Sequence, residues 1–289
     1  MKITVFTPSF NRAYIIQCLY KSLQHQTFKD FEWLVVDDGS TDGTDVFFET
    51  WMKNESTFLI RYYWKENGGK CSAINYGLEL AQGELFFTVD SDDYLTNDAL
   101  EKIAHWESQL PKMQKYCGLA GNLGTAVDRT PNTLFANDYY DGTALDRYGL
   151  VDGERAMVFY THIHRKYLYP LFSGERFMTE AVAWNRMAND GYKMRFFNDI
   201  ICVYEYKEDG LTRSGNKLFL NNPYSYGLFL REKAKFQHKS VIAHLKMWYT
   251  FTCDLSGKYS AKTIATYIGA PSSIIEMFLF VHKMLRIKK

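Results

Sequence analysis

The chain has 289 residues, enough at about 150 residues per domain for one large domain or two small ones, and long enough to bury a sizeable core. With 46% hydrophobic and 23% charged residues it is neither a wholly disordered protein, a collagen nor a disulfide scaffold. The net charge of +1 conceals two opposed biases, −7 over residues 1–230 and +8 over residues 231–289, so the tail suits an anionic surface or, equally, a solvated helix face.

Cys18, Cys71, Cys117, Cys202 and Cys253 are odd in number and scattered, with no CxxC pair, which argues against a disulfide framework or a thiolate metal site and fits a reducing compartment. No basic-then-apolar leader precedes the first strand-like run, so a cytoplasmic location is expected. The late apolar stretch Ile274–Ile287 falls short of the about 18 residues that cross a bilayer and carries Glu276, His282, Lys283 and Arg286, so it is not expected to span a membrane.

In chain order, Ile3–Thr7 reads as a strand, Ala13–Gln26 as a helix, Phe31–Val36 as a strand and Asp45–Lys53 as a helix. Phe58–Tyr63, Ser72–Ala81, Leu85–Val89 and Ala99–Leu110 continue the alternation, the signature of βαβ units around a parallel sheet. From Lys112 to Gly153 the pattern loosens into Gly, Asn, Asp and Thr, as expected of loops and short sheet additions over a cleft. Glu154–Tyr160 and Glu180–Ala188 read as helices, Met194–Phe197 with Ile200–Tyr206 as a hairpin, and Asp209-Gly210 as a turn. Beyond Asn222 the chain reads as helices, with Pro223 and Pro271 as starts.

Ligands bind at the carboxyl ends of strands in open α/β sheets, and two polar strings sit there, FTPSFNR and VVDDGSTDGT. A third, VDSDD at Val89–Asp93, follows an apolar strand. Asp90, Asp92 and Asp93 would repel one another without a cation or donors to offset them. Asp98 with Glu101 already forms a D-x-x-E cap for the next helix, which favours a hard divalent ion, Mg²⁺ or Mn²⁺, held by the upstream acids together with substrate phosphates. In the pair Asp37–Asp38 one carboxylate should face the crevice, where it could meet a base or ribose, although Asp-Gly-Ser is also ordinary turn chemistry. Both GxGxxG and GxxxxGK[ST] are absent, which weakens a nicotinamide or ATPase reading and points to a nucleotide held through a metal.

The strings TVFTPSFNRAYIIQCLYKSLQHQTFKDFEWLVVDDGSTDGT, ENGGKCSAINYGLELAQGE and FFTVDSDDYLTNDAL, in that order, resemble the family 2 glycosyltransferases of the GT-A fold. The resemblance implies an α/β, Rossmann-like nucleotide-diphospho-sugar transferase domain over residues 1–222, in which residues 1–110 bind the nucleotide and residues 111–222 face the acceptor, followed by a helical basic extension over residues 223–289. It also implies that Thr7, Pro8, Phe10 and Arg12 surround the base, that Asp38 reads a uracil edge, and that Asn67, Gly69 and Lys70 flank the nucleotide. The family's DXD motif maps onto Asp90, Ser91 and Asp92, with Asp92 as metal ligand and Asp90 as ribose or metal contact; the role of Asp93 stays open.

A base must take the proton of the attacking hydroxyl. Glu180, six residues before Arg186, matches the family's spacing for that acid, with Glu175 as its competitor and a first-turn helix acid as the plain alternative. Trp184 fits a sugar platform or a core position, and His162 with His164 would share a face on a strand but lack an acidic partner, so they stay outside the metal site. In the last segment Ile274, Met277, Phe278, Val281 and Leu285 form a stripe ending in Lys283, Arg286, Lys288 and Lys289, which suits packing on its own domain or lying in an anionic membrane interface. The expected activity is metal-dependent inverting transfer of a sugar from a UDP-sugar donor to a hydroxyl of a glycan or lipid-linked acceptor in surface-polysaccharide assembly, peripheral to the inner face of the membrane and with no nucleic-acid partner. A nucleotidyltransferase and a catalytically silent nucleotide-sugar-binding protein are the alternatives.

Overall fold

The computed structural model describes residues 1–204 and 215–287. The expected Asp209-Gly210 turn, the strand end at Tyr206, the side chain of Arg286, and Lys288 and Lys289 lie outside the described residues. Four parallel strands, β1 (Ile3–Ser9), β2 (Phe31–Asp37), β3 (Leu59–Trp64) and β4 (Leu85–Thr88), alternate with α1 (Gln17–Gln24), α2 (Thr44–Asn54) and α3 (Lys70–Leu80). Next come β5 (Tyr94–Leu95) and α4 (Ala99–Ser108). Alternation along the strands sorts the core into two layers. Ile3, Val5, Trp33 and Val35 pack against α1, α2 and α4, whereas Phe6, Leu34 and Val36 pack against α3.

The sheet extends through β6 (Tyr116–Gly124), β7 (Tyr139–Gly142), β8 (Arg155–Tyr160) and β9 (Lys193–Val203), in the order β3-β2-β1-β4-β8-β6-β9-β5, with β7 on β9. Three expectations fail here. Residues 112–153 contain β6, an interior strand running parallel to β9 and antiparallel to β8. Glu154–Tyr160, expected as a helix, holds strand β8: its short, almost fully buried and mostly apolar run carries no period that separates the two. The expected hairpin is one strand, because Asn198-Asp199 forms an irregularity within β9 rather than a turn, and the Asn198 side chain there pins the loop residues Phe135 and Asn137.

One helical turn, α5 (Thr161–His164), follows β8, so His162 and His164 diverge instead of sharing a strand face. His162 stacks near Tyr160, while His164 is buried among Phe86, Phe159 and Tyr169. After α6 (Ala181–Asn189) and β9 come α7 (Asn216–Leu220), α8 (Pro223–Phe236), α9 (Val241–Leu255), α10 (Ala261–Ile268) and α11 (Ser272–Ile287). Pro223 opens α8, where its missing N–H costs nothing; Ser240 and Ser260 cap α9 and α10 through their side chains. Leu228 and Phe229 of α8 pack beside α3 and α6, while α9, α10 and α11 close their own core on Phe251, Leu255, Ile264, Ile268 and Ile275.

Both readings of the last helix have a counterpart on it. Ile275 and Phe278 are buried, while Met277, Phe280, Val281, Met284 and Leu285 are exposed. Among the described residues no single helix is long and apolar enough to cross a membrane; α10 and α11 together meet that measure but are bent by 119° at their junction.

Candidate active site

β1 and β2 end side by side, and their following loops are tied together. Asn11, in the left-handed conformation that Asn tolerates, donates its backbone N–H to Ser40 Oγ at 2.7 Å and accepts from Thr41 N–H at 2.9 Å; Ala13 N–H donates to Asp42 at 2.9 Å. This leaves Phe10 exposed, with Arg12 near Tyr14. Thr7 is turned into the core instead, its hydroxyl accepting from the Trp33 indole at 3.0 Å, so of the expected base-site quartet it contributes no side chain to the surface.

The Asp37–Asp38 pair divides its labour. Asp37 is fully buried and accepts from Tyr62 Oη at 2.6 Å and Ser40 N–H at 2.7 Å, which is the turn-forming role. Asp38 accepts from Gly68 N–H at 2.9 Å, Gly69 N–H at 2.7 Å and Lys65 Nζ at 2.7 Å, while its own carbonyl accepts from Asn67 Nδ2 at 2.8 Å. The segment that leads into α3 is thus anchored on one carboxylate. Gly69 must be glycine: its φ is +88°, and a Cβ would stand 1.8 Å from the Arg176 carbonyl oxygen. Nothing in the sequence pattern singled out Lys65.

At the start of α3, Lys70 reaches Asp90 at 2.7 Å and Glu180 Oε1 at 3.3 Å, joining the strand-end acid to the first residue of the α6 turn. Acids 90 positions apart, Asp90 and Glu180, therefore meet at one ammonium. Burial works against the charge of Lys70, but Asp90 and Glu180 outweigh it and hold the group above its ordinary value. Burial, with Asp90 adding to it, pushes the Glu180 carboxyl up despite Lys70. The same two causes raise Asp92, and burial with the charges of Asp90 and Asp92 pushes Asp93 up to about 8. Asp93 stands beside the Cys202 thiol, 3.8 Å away, and Ser91 is buried between the flanking acids in sequence.

No cluster of three or more His, Cys, Asp or Glu suited to a metal occurs among the described residues. A like-charged pair whose second member is raised by its neighbour nevertheless fits Mg²⁺ or Mn²⁺, which take one or two carboxylates and fill their remaining positions with water and phosphate oxygens.

Glu175 is committed elsewhere. Its carboxylate accepts from the backbone of Tyr224 at 2.7 Å and Ser225 at 2.8 Å, and from the Ser225 hydroxyl at 2.6 Å, capping α8. Arg186 forms a two-pronged ion pair with Glu232 of α8, with contacts of 2.7–3.1 Å. Trp184 lies between Phe159, 6.1 Å away, and the Arg147 guanidinium, 4.6 Å away, which is the core alternative rather than a bare sugar platform. Arg147 is a second residue the sequence did not flag; its only local signal is the T-x-x-D capping box Thr143–Asp146. A groove of about 520 Å³, lined by Lys2, Glu107, Tyr160 and His162, lies beside the amino end of β1, away from all these groups.

Residues 4–131 match the model of glycosyl transferase family 2. The putative teichuronic acid biosynthesis glycosyltransferase TuaG of Bacillus subtilis is 33% identical over 146 residues, 50% of this chain and 51% of that protein. The GalNAc(5)-diNAcBac-PP-undecaprenol beta-1,3-glucosyltransferase of Campylobacter jejuni is 36% identical over 104 residues, 35% of this chain and 33% of its own length. The chain thus spans between a third and about half of these relatives. Among solved structures, S. aureus TarS 1-349 in complex with UDP-GlcNAc superposes with a TM-score of 0.64 at 18% identity, covering 100% of this chain and 93% of that one. The mannosyltransferase PcManGT of Pyrobaculum calidifontis, in complex with GDP-Man and Mn²⁺, gives 0.59 at 17% identity, covering 98% and 86%. The match over residues 4–131 makes this part of the chain similar to glycosyl transferase family 2, and the mixed sheet with appended helices is the fold of these solved glycosyltransferases.

Proposed function

We propose that this chain transfers a sugar from a UDP-sugar to a hydroxyl of a glycan or lipid-linked acceptor in polysaccharide assembly, with inversion at the anomeric carbon and with a divalent cation. The observation that carries the reading is the meeting of Asp90 and Glu180 at Lys70 beside the carboxyl ends of β1, β2 and β4. Pro8, Phe10 and Arg12 would line the base, with Thr7 supporting them from the core, and Asp38 would fix Asn67 and Gly69 beside the nucleotide. Asp92 and Asp90 would hold the cation, with Ser91 shaping the turn. Bound there, Mg²⁺ or Mn²⁺ supplies positive charge where the departing diphosphate gathers negative charge.

Glu180 acts as the base in this scheme. A carboxylate raised by burial holds a proton more readily than a solvated one, and Lys70 keeps it ionised until the acceptor hydroxyl arrives. Glu180 takes that proton, the acceptor oxygen bonds to the anomeric carbon, and the bond to the diphosphate oxygen breaks on the opposite face, which inverts the centre. We assign residues 111–222 to the acceptor side and residues 223–289 to a helical extension. The exposed Met277, Phe280 and Met284 of α11, with Lys283 among them, suit contact with an anionic membrane surface on the cytoplasmic side.

The test is a panel of nucleotide sugars incubated with the protein and Mn²⁺, read for free nucleoside diphosphate. Release of UDP from a UDP-sugar is expected. Formation of pyrophosphate would place the chain among nucleotidyltransferases, and binding without turnover of any donor would make it a silent sensor.

A further inference from the structure

Among the described residues, two cations on the elements that pack against α6 form no ion pair with a carboxylate. Arg147 sits on the 3-10 turn Ala144–Tyr148, with its guanidinium over the Trp184 ring, one helical turn beyond Glu180 on α6. The acid next to it in sequence, Asp146, is occupied in capping that turn, where it accepts the Thr143 backbone N–H at 2.6 Å. Arg147 Nε is buried without a hydrogen-bond partner, and no carboxylate among the described residues forms an ion pair with the guanidinium. Lys233 of α8 stands 3.9 Å over the Tyr148 ring, and Tyr148 is itself held by Asn185 Nδ2 of α6 at 3.0 Å. It too forms no ion pair among the described residues.

Burial pushes both cations below their ordinary values, outweighing the pull of Tyr148, Glu180 and Glu154 on Arg147 and joined by Lys239 at Lys233. Stacking on aromatic rings offsets only part of the cost of removing a charge from water. Fixed positive groups left in this condition complement an anion. Two of them, on different elements, match a group with several charged oxygens, and a phosphate meets the Arg fork and a Lys point charge at once.

We propose that Arg147 and Lys233, carried on Trp184 and Tyr148, form a subsite for a phosphate group of the acceptor. Assigning the phosphate to an acceptor rests on the transferase reading above. Its direction follows from the chain: Lys70 and Asp90 meet Glu180 at the start of α6, Arg147 stacks on Trp184 one turn further along that helix, and Lys233 stands over Tyr148, which Asn185 of the same turn holds. A hydroxyl borne near a phosphate would then be delivered to Glu180 without two negative groups facing each other unscreened.

The test uses the full-length protein with ¹⁵N-labelled arginine, following the Nε–H resonances during titration with methyl phosphate, once alone and once with UDP and Mg²⁺ saturating. Arg147→Lys assigns the resonance by its loss. The Arg147 signal should move in both titrations, Lys233→Gln should weaken the response about tenfold while keeping the melting temperature, and acetate should not reproduce it. No movement in either titration overturns the subsite, and an equal response to acetate overturns its assignment to phosphate. Movement that UDP alone abolishes gives the cations to the donor diphosphate and also overturns the proposal. If calorimetry finds no UDP binding while methyl phosphate still moves Arg147, the anion subsite stands and the transferase reading falls.

Discussion

Asp38 anchors the loop that leads into α3 by geometry that an isosteric change would break. In Asp38→Asn the side chain keeps its shape but presents one acceptor oxygen where the carboxylate presents two, and those two serve the N–H groups of Gly68 at 2.9 Å and Gly69 at 2.7 Å. One backbone donor then faces an NH₂ group, a loss of about 1–3 kcal/mol for a buried unsatisfied group. Lys65, 2.7 Å from Asp38, now faces a neutral oxygen in place of a charged one; a hydrogen bond to a charged group contributes about 1.5–3 kcal/mol when buried, less here because Lys65 is partly solvated. A combined loss of about 3 kcal/mol, if it falls on loop order, weakens UDP binding about 100-fold. Calorimetric titration of UDP with Mn²⁺ reads the affinity, and amide exchange at Gly68 and Gly69 without UDP reads the anchor itself. Wild-type protection of both amides in Asp38→Asn would refute the anchoring argument, even if UDP affinity fell for another reason.

Other consequences can be checked separately. Glu175→Ala removes the cap of α8 and should lower stability by about 1–2 kcal/mol in denaturant melts while donor hydrolysis per folded molecule stays unchanged; a loss of turnover without loss of stability would return Glu175 to the chemistry. His164, held down to about 3 by burial, stays neutral in the fold, so below about pH 6.5 the unfolded chain takes up a proton that the native one refuses. Stability from this source is complete above that pH and drains as pH falls toward 3, by at most about 1.4 kcal/mol per unit; His164→Leu should flatten the acid limb of a melting series, and an unaltered limb would show that the histidine is not responsible. Flotation with anionic vesicles should be lost in the double variant Phe280→Glu, Met284→Glu, whose exposed positions leave the Ile275–Phe278 core contact intact, and equal flotation would rule out that face of α11.

The first 110 residues were legible because the interior strands β1, β2 and β4 are mostly apolar runs, buried along nearly their whole length and punctuated by polar turns. The middle was not. YCGLAGNLG reads as loop because of its glycines, yet they are the price of an interior position: a Cβ at Gly118 would lie 2.0 Å from the Val158 carbonyl oxygen of β8. RAMVFY is too short and too evenly apolar to reveal its period, and Asn198-Asp199 looked like a turn because hydrogen bonding by Asn to a distant loop leaves no local trace. The motifs singled out Asp38, Lys70, Asp90 and Glu180, and the structure brings the last three together. Thr7 could not be sorted from the residues beside it, since its direction depends on Trp33, 26 positions away. Arg147 and Lys233 stayed invisible for the same reason: a cation's significance lies in which partners it lacks, and that is a property of the folded chain.

The transfer centre itself is tested most directly by Glu180→Gln, measured side by side for UDP affinity and for the rate of UDP release from whichever UDP-sugar the panel identifies. Affinity should be retained and turnover lowered by about 10²–10⁴-fold, the contribution of a positioned base. Turnover at the wild-type rate with the same affinity would contradict that role.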